Sequence, residues 1–123
     1  MEPMLVALPS NGGDGLEESR SEHFGRSTHF TLVSVTDGEI GEVRTIANLP
    51  HIEGGCRRPV DMLSEDGVSA VIVVGLGNGP YRRFAELGIP VYADATSATV
   101  GEAVSRLIAG ELCPMDGSTC HHH

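Results

Sequence analysis

Residues 30–47 read FTLVSVTDGEIGEVRTIA, and the fold turns on how this stretch is read. Residues 30–35 are aromatic and β-branched, the composition of a strand. Thr36-Asp37-Gly38-Glu39 follows, and Asp-Gly supplies the positive φ that a two-residue hairpin turn needs. Residues 40–47 return as the antiparallel partner, with Gly41 marking a bulge or weak point. Upstream, residues 4–8 (MLVAL) form an apolar run ended by Pro9 and a polar, Gly-rich stretch, which reads as a buried strand entering a loop.

Downstream of the hairpin the pattern becomes an alternation. Residues 57–66 read as a helix with Pro59 in its first turn and Val60, Met62 and Leu63 as its apolar stripe. Residues 70–74 (AVIVV) form an aliphatic strand of the kind buried on both faces of a parallel sheet. The loop Gly75-Leu76-Gly77-Asn78-Gly79-Pro80 opens a helix over 81–87, closed by Gly88. A short strand over 90–93 precedes an amphipathic helix over 99–112, with Val100, Val104, Leu107 and Ile108 on one face. The order βββαβαβα predicts an α/β fold, a mixed sheet with helices on both faces. It forms one domain over residues 1–112, followed by a Cys/His-rich, flexible tail over 113–123.

Composition narrows the function. The chain has 123 residues, 40% of them hydrophobic, which suits one core; with no Trp, that core is aliphatic. Lysine is absent, and eight arginines face 17 acids for a net charge of −9. Such a surface repels phosphate backbones and argues against nucleic-acid binding. No apolar run approaches the ~20 residues that cross a bilayer, and no basic segment followed by an apolar one opens the chain. A cytoplasmic protein without a membrane partner is expected. The three cysteines, Cys56, Cys113 and Cys120, point to free thiols or metal ligands rather than a disulfide framework.

In a sheet of this kind ligands bind beyond the carboxyl ends of the parallel strands, where strand order reverses. Three loops meet that description: 10–26, the turn at Gly54-Gly55-Cys56, and Gly75 to Gly79 with Gly77 at its centre. Two of them lead into helix N-termini, whose free N–H groups favour anions. Cys56 stands at the start of the first helix with Arg57 and Arg58 after it, a setting that favours the metal-binding thiolate; a buried structural thiol is the alternative. His23 lies in a loop beside Phe24-Gly25-Arg26, where an imidazole can swing to a metal; a surface histidine whose neighbour Phe24 anchors the loop is the rival. His29 reads as a strand-edge residue, and Arg82 and Arg83 as solvated helix charges. The tail carries Cys113, Cys120, His121, His122 and His123, ligands suited to zinc, copper(I) or iron. Its histidine run is read as native, because Ser118-Thr119-Cys120 is no vector-like linker; a tag remnant with adventitious metal affinity is the alternative.

With these residues in place, Ser21-Glu22-His23-Phe24-Gly25-Arg26 followed by Phe30 resembles the S-x-H-F-G-R signature of the dinitrogenase iron–molybdenum cofactor biosynthesis family. That family takes in NifX-type carriers, the C-terminal domain of NifB-type proteins and the orange protein, which holds a molybdenum–copper–sulfur cluster. The resemblance extends through Asp37-Gly38, Gly54-Gly55-Cys56, Val73-Val74-Gly75 and Gly88-Ile89-Pro90-Val91-Tyr92. It implies a three-layer α/β/α ribonuclease-H-like fold, with a five-stranded mixed sheet of order 3-2-1-4-5 and strand 2 antiparallel. It also implies labile binding of a metal–sulfur cluster or an iron–molybdenum cofactor precursor, with His23 as a contact and Gly25 and Arg26 beside it. Cys56 and the Cys/His tail vary within the family.

The expectation is therefore a non-enzymatic carrier or scaffold, monomeric or weakly dimeric, that meets a cofactor-maturation or acceptor protein. A regulatory or partner-binding protein with a zinc- or copper-binding tail is the alternative. A ribonuclease-H-like hydrolase is disfavoured because residues 4–8 carry no carboxylate, and the second strand, the fourth and the core of the fifth have none before Asp94.

Overall fold

In the computed structural model, Asp37 (φ 53°) and Gly38 (φ 79°) both take positive φ and close the expected hairpin. The structure describes residues 4–21, 24, 27–47, 59–94, 96–112 and 114. The strands are β1 (Met4–Ser10), β2 (His29–Thr36), β3 (Glu39–Ala47), β4 (Ala70–Val73) and β5 (Val91–Ala93). The helices are α1 (Pro59–Glu65), α2 (Asn78–Glu86) and α3 (Val100–Ile108), with a 3₁₀ turn at Gly15–Glu17. The five strands form one mixed sheet of order β3-β2-β1-β4-β5. β2 runs antiparallel to both its neighbours, and β1, β4 and β5 are parallel. This is the α/β architecture that the resemblance implied.

Alternation along the strands divides the core in two. Ala7, Phe30, Leu32, Val71, Val73 and Val91 face α1 and α2, where Val60, Leu63 and Phe84 pack on them. Val6, Leu8, Val33, Val35, Ala70 and Ile72 face α3, meeting Val100, Ala103 and Val104. Every side chain of β4 is buried, as a central parallel strand requires. Between Val33 and Val35 the β2–β3 register shifts by one extra residue in β3, so the expected irregularity does fall at Gly41.

Several boundaries differ from the sequence reading. β1 continues through Pro9 to Ser10. The Pro9 carbonyl accepts from Ser21 N at 3.0 Å, so its missing N–H points the same way, past the end of β4, and no bond to β2 is lost. α2 starts at Asn78, because Gly79 and Pro80 fill a first turn whose N–H groups need no intrahelical acceptor; Tyr81 N then closes that turn on Gly77 O at 3.1 Å. α3 ends at Ile108 rather than 112, stopped by Gly110 at φ 76°. Its start is capped by side chains: Thr99 Oγ1 accepts from Glu102 N at 3.2 Å, and Glu102 Oε2 reaches past the cap to accept from Ala98 N at 3.1 Å. β4 and β5 are one residue shorter than expected, at Val74 and Pro90 respectively. No helix of the described residues is long and apolar enough to cross a membrane.

Candidate functional site at the carboxyl edge of the sheet

The parallel strands β1, β4 and β5 end at Ser10, Val73 and Ala93, all on one edge of the sheet. Strand order reverses between β1 and β4, so the crevice beyond their ends is where an α/β sheet offers a ligand site. Of the three expected loops, the one at Gly75 and Gly77 is described throughout its backbone. Both glycines are exposed, while Leu76 between them packs on the core below α2 and pins the loop. Gly77 is the N-cap of α2 with φ −72° and ψ 165°, a backbone any residue adopts. A Cβ there would meet only Pro80 Cδ, at 3.8 Å. The fold thus does not require glycine at 77. A bare backbone beside the N–H groups of Asn78 and Gly79 is what a compact anion needs in order to approach a helix start.

His23, Gly25, Arg26, Gly54, Gly55 and Cys56 lie outside the described residues, as do His51, Cys113, Cys120, His121, His122 and His123. The described neighbours of His23 do fix where its loop is anchored. Phe24 is 3% exposed and packs against Phe30 (centroids 5.2 Å) and, edge-on, against Phe84 of α2 (5.5 Å). Ser27 Oγ donates to the Phe24 carbonyl at 3.0 Å. His29 stands at the start of β2 as expected, half-buried, its Nδ1 2.9 Å from Thr28 Oγ1. Arg83 is a partly exposed helix charge whose Nε donates to Asp61 Oδ1 at 2.9 Å and ties α2 to α1.

A buried charge pair at the same edge has no counterpart in the sequence reading. Arg20 pairs in a β-bridge with Ser10, which places residue 20 beside the end of β1 and past the last residue of β4. From there its guanidinium reaches the end of β5. Nη1 donates to the carbonyl of Asp94 and, at 3.4 Å, to that of Ser97, and lies 3.6 Å from Asp94 Oδ2. The two side chains are 2% and 1% exposed. Nε and Nη2 of Arg20 are buried with no hydrogen-bond partner among the described residues.

Asp94, by contrast, is saturated. Oδ1 accepts from Thr96 N and Thr96 Oγ1, each at 3.0 Å, and from Ser97 N at 3.2 Å; Oδ2 accepts from Ser97 Oγ. Arg106 Nη1 adds a contact at 3.3 Å. Burial alone would raise this carboxyl, but the hydrogen bonds from Ser97 and Thr96 outweigh it and hold Asp94 at about 2. Burial pushes Arg20 below the ordinary arginine range, opposed in part by Asp94. The signals that point to this pair are sparse but present: Arg20 is the first cation in the chain, and Asp94-Ala95-Thr96-Ser97 is an Asx-turn sequence.

Elsewhere, an apolar crevice of about 280 Å³ runs between α2 and the amino end of β5, lined by Tyr81, Ala85, Ile89, Pro90, Val91 and Pro114 among others. No charged side chain of the described residues lines it.

Comparison with known proteins agrees with this fold. The family model described as "Dinitrogenase iron-molybdenum cofactor" matches residues 3–110. An uncharacterized protein of Methanocaldococcus jannaschii is 31% identical over 112 residues, covering 89% of each chain. Among solved structures, a Thermotoga protein provisionally described as a NifB protein is 27% identical, with a TM-score of 0.71 over 94% of this chain and 97% of that one. The apo form of the orange protein from Desulfovibrio gigas shares the fold, with a TM-score of 0.74 and 22% identity over 93% of this chain and 94% of its own.

Proposed function

The chain belongs to the dinitrogenase iron–molybdenum cofactor family, and on that premise we propose that it is a small non-catalytic carrier or scaffold. Its cargo is an anionic metal–sulfur cluster or an iron–molybdenum cofactor precursor, taken up at the carboxyl edge of the sheet. The observation that carries this reading is Gly77. It is an exposed N-cap glycine that the backbone does not demand, at the end of β4 and at the head of a helix. Two peptide N–H groups and a bare backbone favour a compact anion without fixing it covalently. His23 and Cys56 supply exchangeable ligands in this account. Few protein ligands suit a carrier, which must hold its cargo and then give it up to an acceptor protein.

The same reading makes the protein non-catalytic. A two-metal hydrolase needs several carboxylates converging on its ions. Asp94, the buried carboxylate at this edge, is committed to Thr96, Ser97, Arg20 and Arg106.

Anaerobic purification with assay of bound metals and acid-labile sulfide tests the proposal. Titration with tetrathiomolybdate, with and without copper, followed by visible absorbance then compares wild type with His23→Ala. The expected result is a coloured complex that the substitution weakens or alters while the circular dichroism stays unchanged. A colourless, metal-free protein that takes up neither thiomolybdate nor an iron–sulfur precursor overturns it.

A further inference from the structure

Arg20 is held at one end and open at the other. Nη1 is fixed by the carbonyls of Asp94 and Ser97, whereas Nε–H and Nη2–H are buried donors without an acceptor among the described residues. Buried donors without an acceptor are costly and rare in folded proteins, and a charged group that keeps two of them calls for an explanation. Their place is specific. The Ser10–Arg20 bridge carries the residue onto the β4 side of β1, and the reach to Asp94 lays the guanidinium across the end of β4, between β1 and β5. Ser10 shares its face with Val6 and Leu8, so the bridged Arg20 lies on the α3 face of the sheet. The Gly75–Gly77 loop leaves β4 toward α2 on the other face, and the crevice at the reversal of strand order lies between two such diverging loops.

The local charge points the same way. Asp94 serves two guanidinium groups, those of Arg20 and Arg106. Arg106 has a further acid in Glu111, at 3.6 Å, whereas Arg20 has Asp94 alone among the described residues. In a chain of net charge −9, the end of β4 therefore holds a desolvated cation that is under-neutralised.

We propose that Arg20 is an anion-binding residue of the cargo site, with Nε–H and Nη2–H donating to terminal sulfido or oxo atoms of a compact tetrahedral metal anion while Asp94 holds Nη1. This deepens the carrier reading and rests on it for the identity of the cargo. The two free donors are adjacent on one edge of the planar guanidinium, the geometry that grips two atoms of one anion at once. Both nitrogens are closed to solvent, so entry requires a local opening of segment 18–21. The opening must break the bonds that hold this segment, among them Asn11 N to Ser19 O (3.2 Å), Ser21 N to Pro9 O (3.0 Å), Val100 N to Glu18 O (3.0 Å), Glu18 N to Gly15 O (3.1 Å) and Asn11 Nδ2 to Arg20 O (3.3 Å).

The test is equilibrium titration of wild type, Arg20→Met, Arg20→Lys and Asp94→Asn with two probes, tetrathiomolybdate and molybdate, with circular dichroism on each variant. Arg20→Met is expected to weaken anion binding about tenfold or more, the loss of a charge-assisted pair of hydrogen bonds. Asp94→Asn is expected to bind as tightly as wild type or tighter, because it removes the competing negative charge and leaves the guanidinium in place. If Arg20→Met does not fold, Arg20→Lys decides, because it keeps the charge but lacks the paired N–H edge: binding equal to wild type overturns the proposal, and weaker binding supports it. If wild type takes up thiomolybdate and folded Arg20→Met matches it, the Arg20 assignment falls and the carrier reading stands. If wild type binds molybdate through Arg20 but refuses thiomolybdate, the metal–sulfur cargo falls and the anion site stands. If wild type binds neither probe, both fall.

Discussion

Arg20 Nη1 sits 3.6 Å from Asp94 Oδ2, two nearly solvent-free side chains whose residues are 74 apart in sequence. The contact ties the segment returning past β1 to the loop leaving β5, over the end of the strand between them. Its strength is uneven. Asp94 keeps five other polar contacts if Arg20 is removed, whereas Arg20 without Asp94 is a buried cation with carbonyl partners only.

That imbalance predicts unequal costs. Asp94→Asn is expected to destabilise the fold by about 3 kcal/mol, the range for stranding a buried charge. Arg20→Met is expected to cost about 1 kcal/mol, close to the worth of one hydrogen bond. Urea unfolding of the two variants and of the double substitution measures both terms and their coupling; equal single costs would contradict the asymmetry.

Acid should find the same residue. Asp94 in the fold titrates at about 2, below its ordinary 3.8. A carboxyl with a depressed folded pKa stabilises the fold above its unfolded value and stops doing so as pH falls through the folded one. Wild type is therefore expected to lose about 2 kcal/mol of unfolding free energy between pH 5 and pH 2 through this group. Asp94→Asn is expected to lose correspondingly less over that interval. Parallel pH profiles for the two proteins would count against the assignment.

Two glycines at helix starts should respond in opposite ways. Gly101 lies in the first turn of α3, and a Cβ there would come within 3.1 Å of Leu16 O and 3.3 Å of Leu16 Cβ. Gly101→Ala is expected to lower the melting temperature, despite the helix preference for alanine, because a backbone carbonyl does not yield easily. Gly77→Ser meets nothing closer than Pro80 Cδ and supplies an N-cap hydroxyl, so stability is expected to hold within roughly 0.5 kcal/mol. The same change should weaken thiomolybdate uptake, which a purely structural glycine would not do.

Much of the fold was legible because its signals are local. Asp37-Gly38 marks the hairpin, AVIVV marks the central parallel strand, and the Val100, Val104 and Leu107 spacing marks the face of α3. The misplaced boundaries are cases where a neighbour decides. Pro9 stays in β1 because its absent N–H faces the end of β4, and Pro80 stays in α2 because a first turn tolerates it. The candidate site was legible only in part. Gly75 and Gly77 advertise themselves by composition, but the Arg20–Asp94 pair depends on a bridge to Ser10 that no periodicity reveals.

Phe24 is the described link between the H-F-G-R segment and the core. Phe24→Ala removes a ring seated against Phe30 and Phe84 and is expected to cost about 3–4 kcal/mol, read by thermal or urea unfolding. Phe24→Leu should recover most of that loss. A cost below about 1 kcal/mol would mean that the ring does not anchor the segment.

The most direct test of the carrier account is anomalous diffraction at the molybdenum edge from crystals grown with tetrathiomolybdate. The account predicts a molybdenum peak at the carboxyl edge of the sheet, bordered by Gly77 and within hydrogen-bonding reach, through sulfur, of Arg20. A peak confined to the C-terminal cysteines and histidines, or to the apolar crevice between α2 and β5, would contradict it.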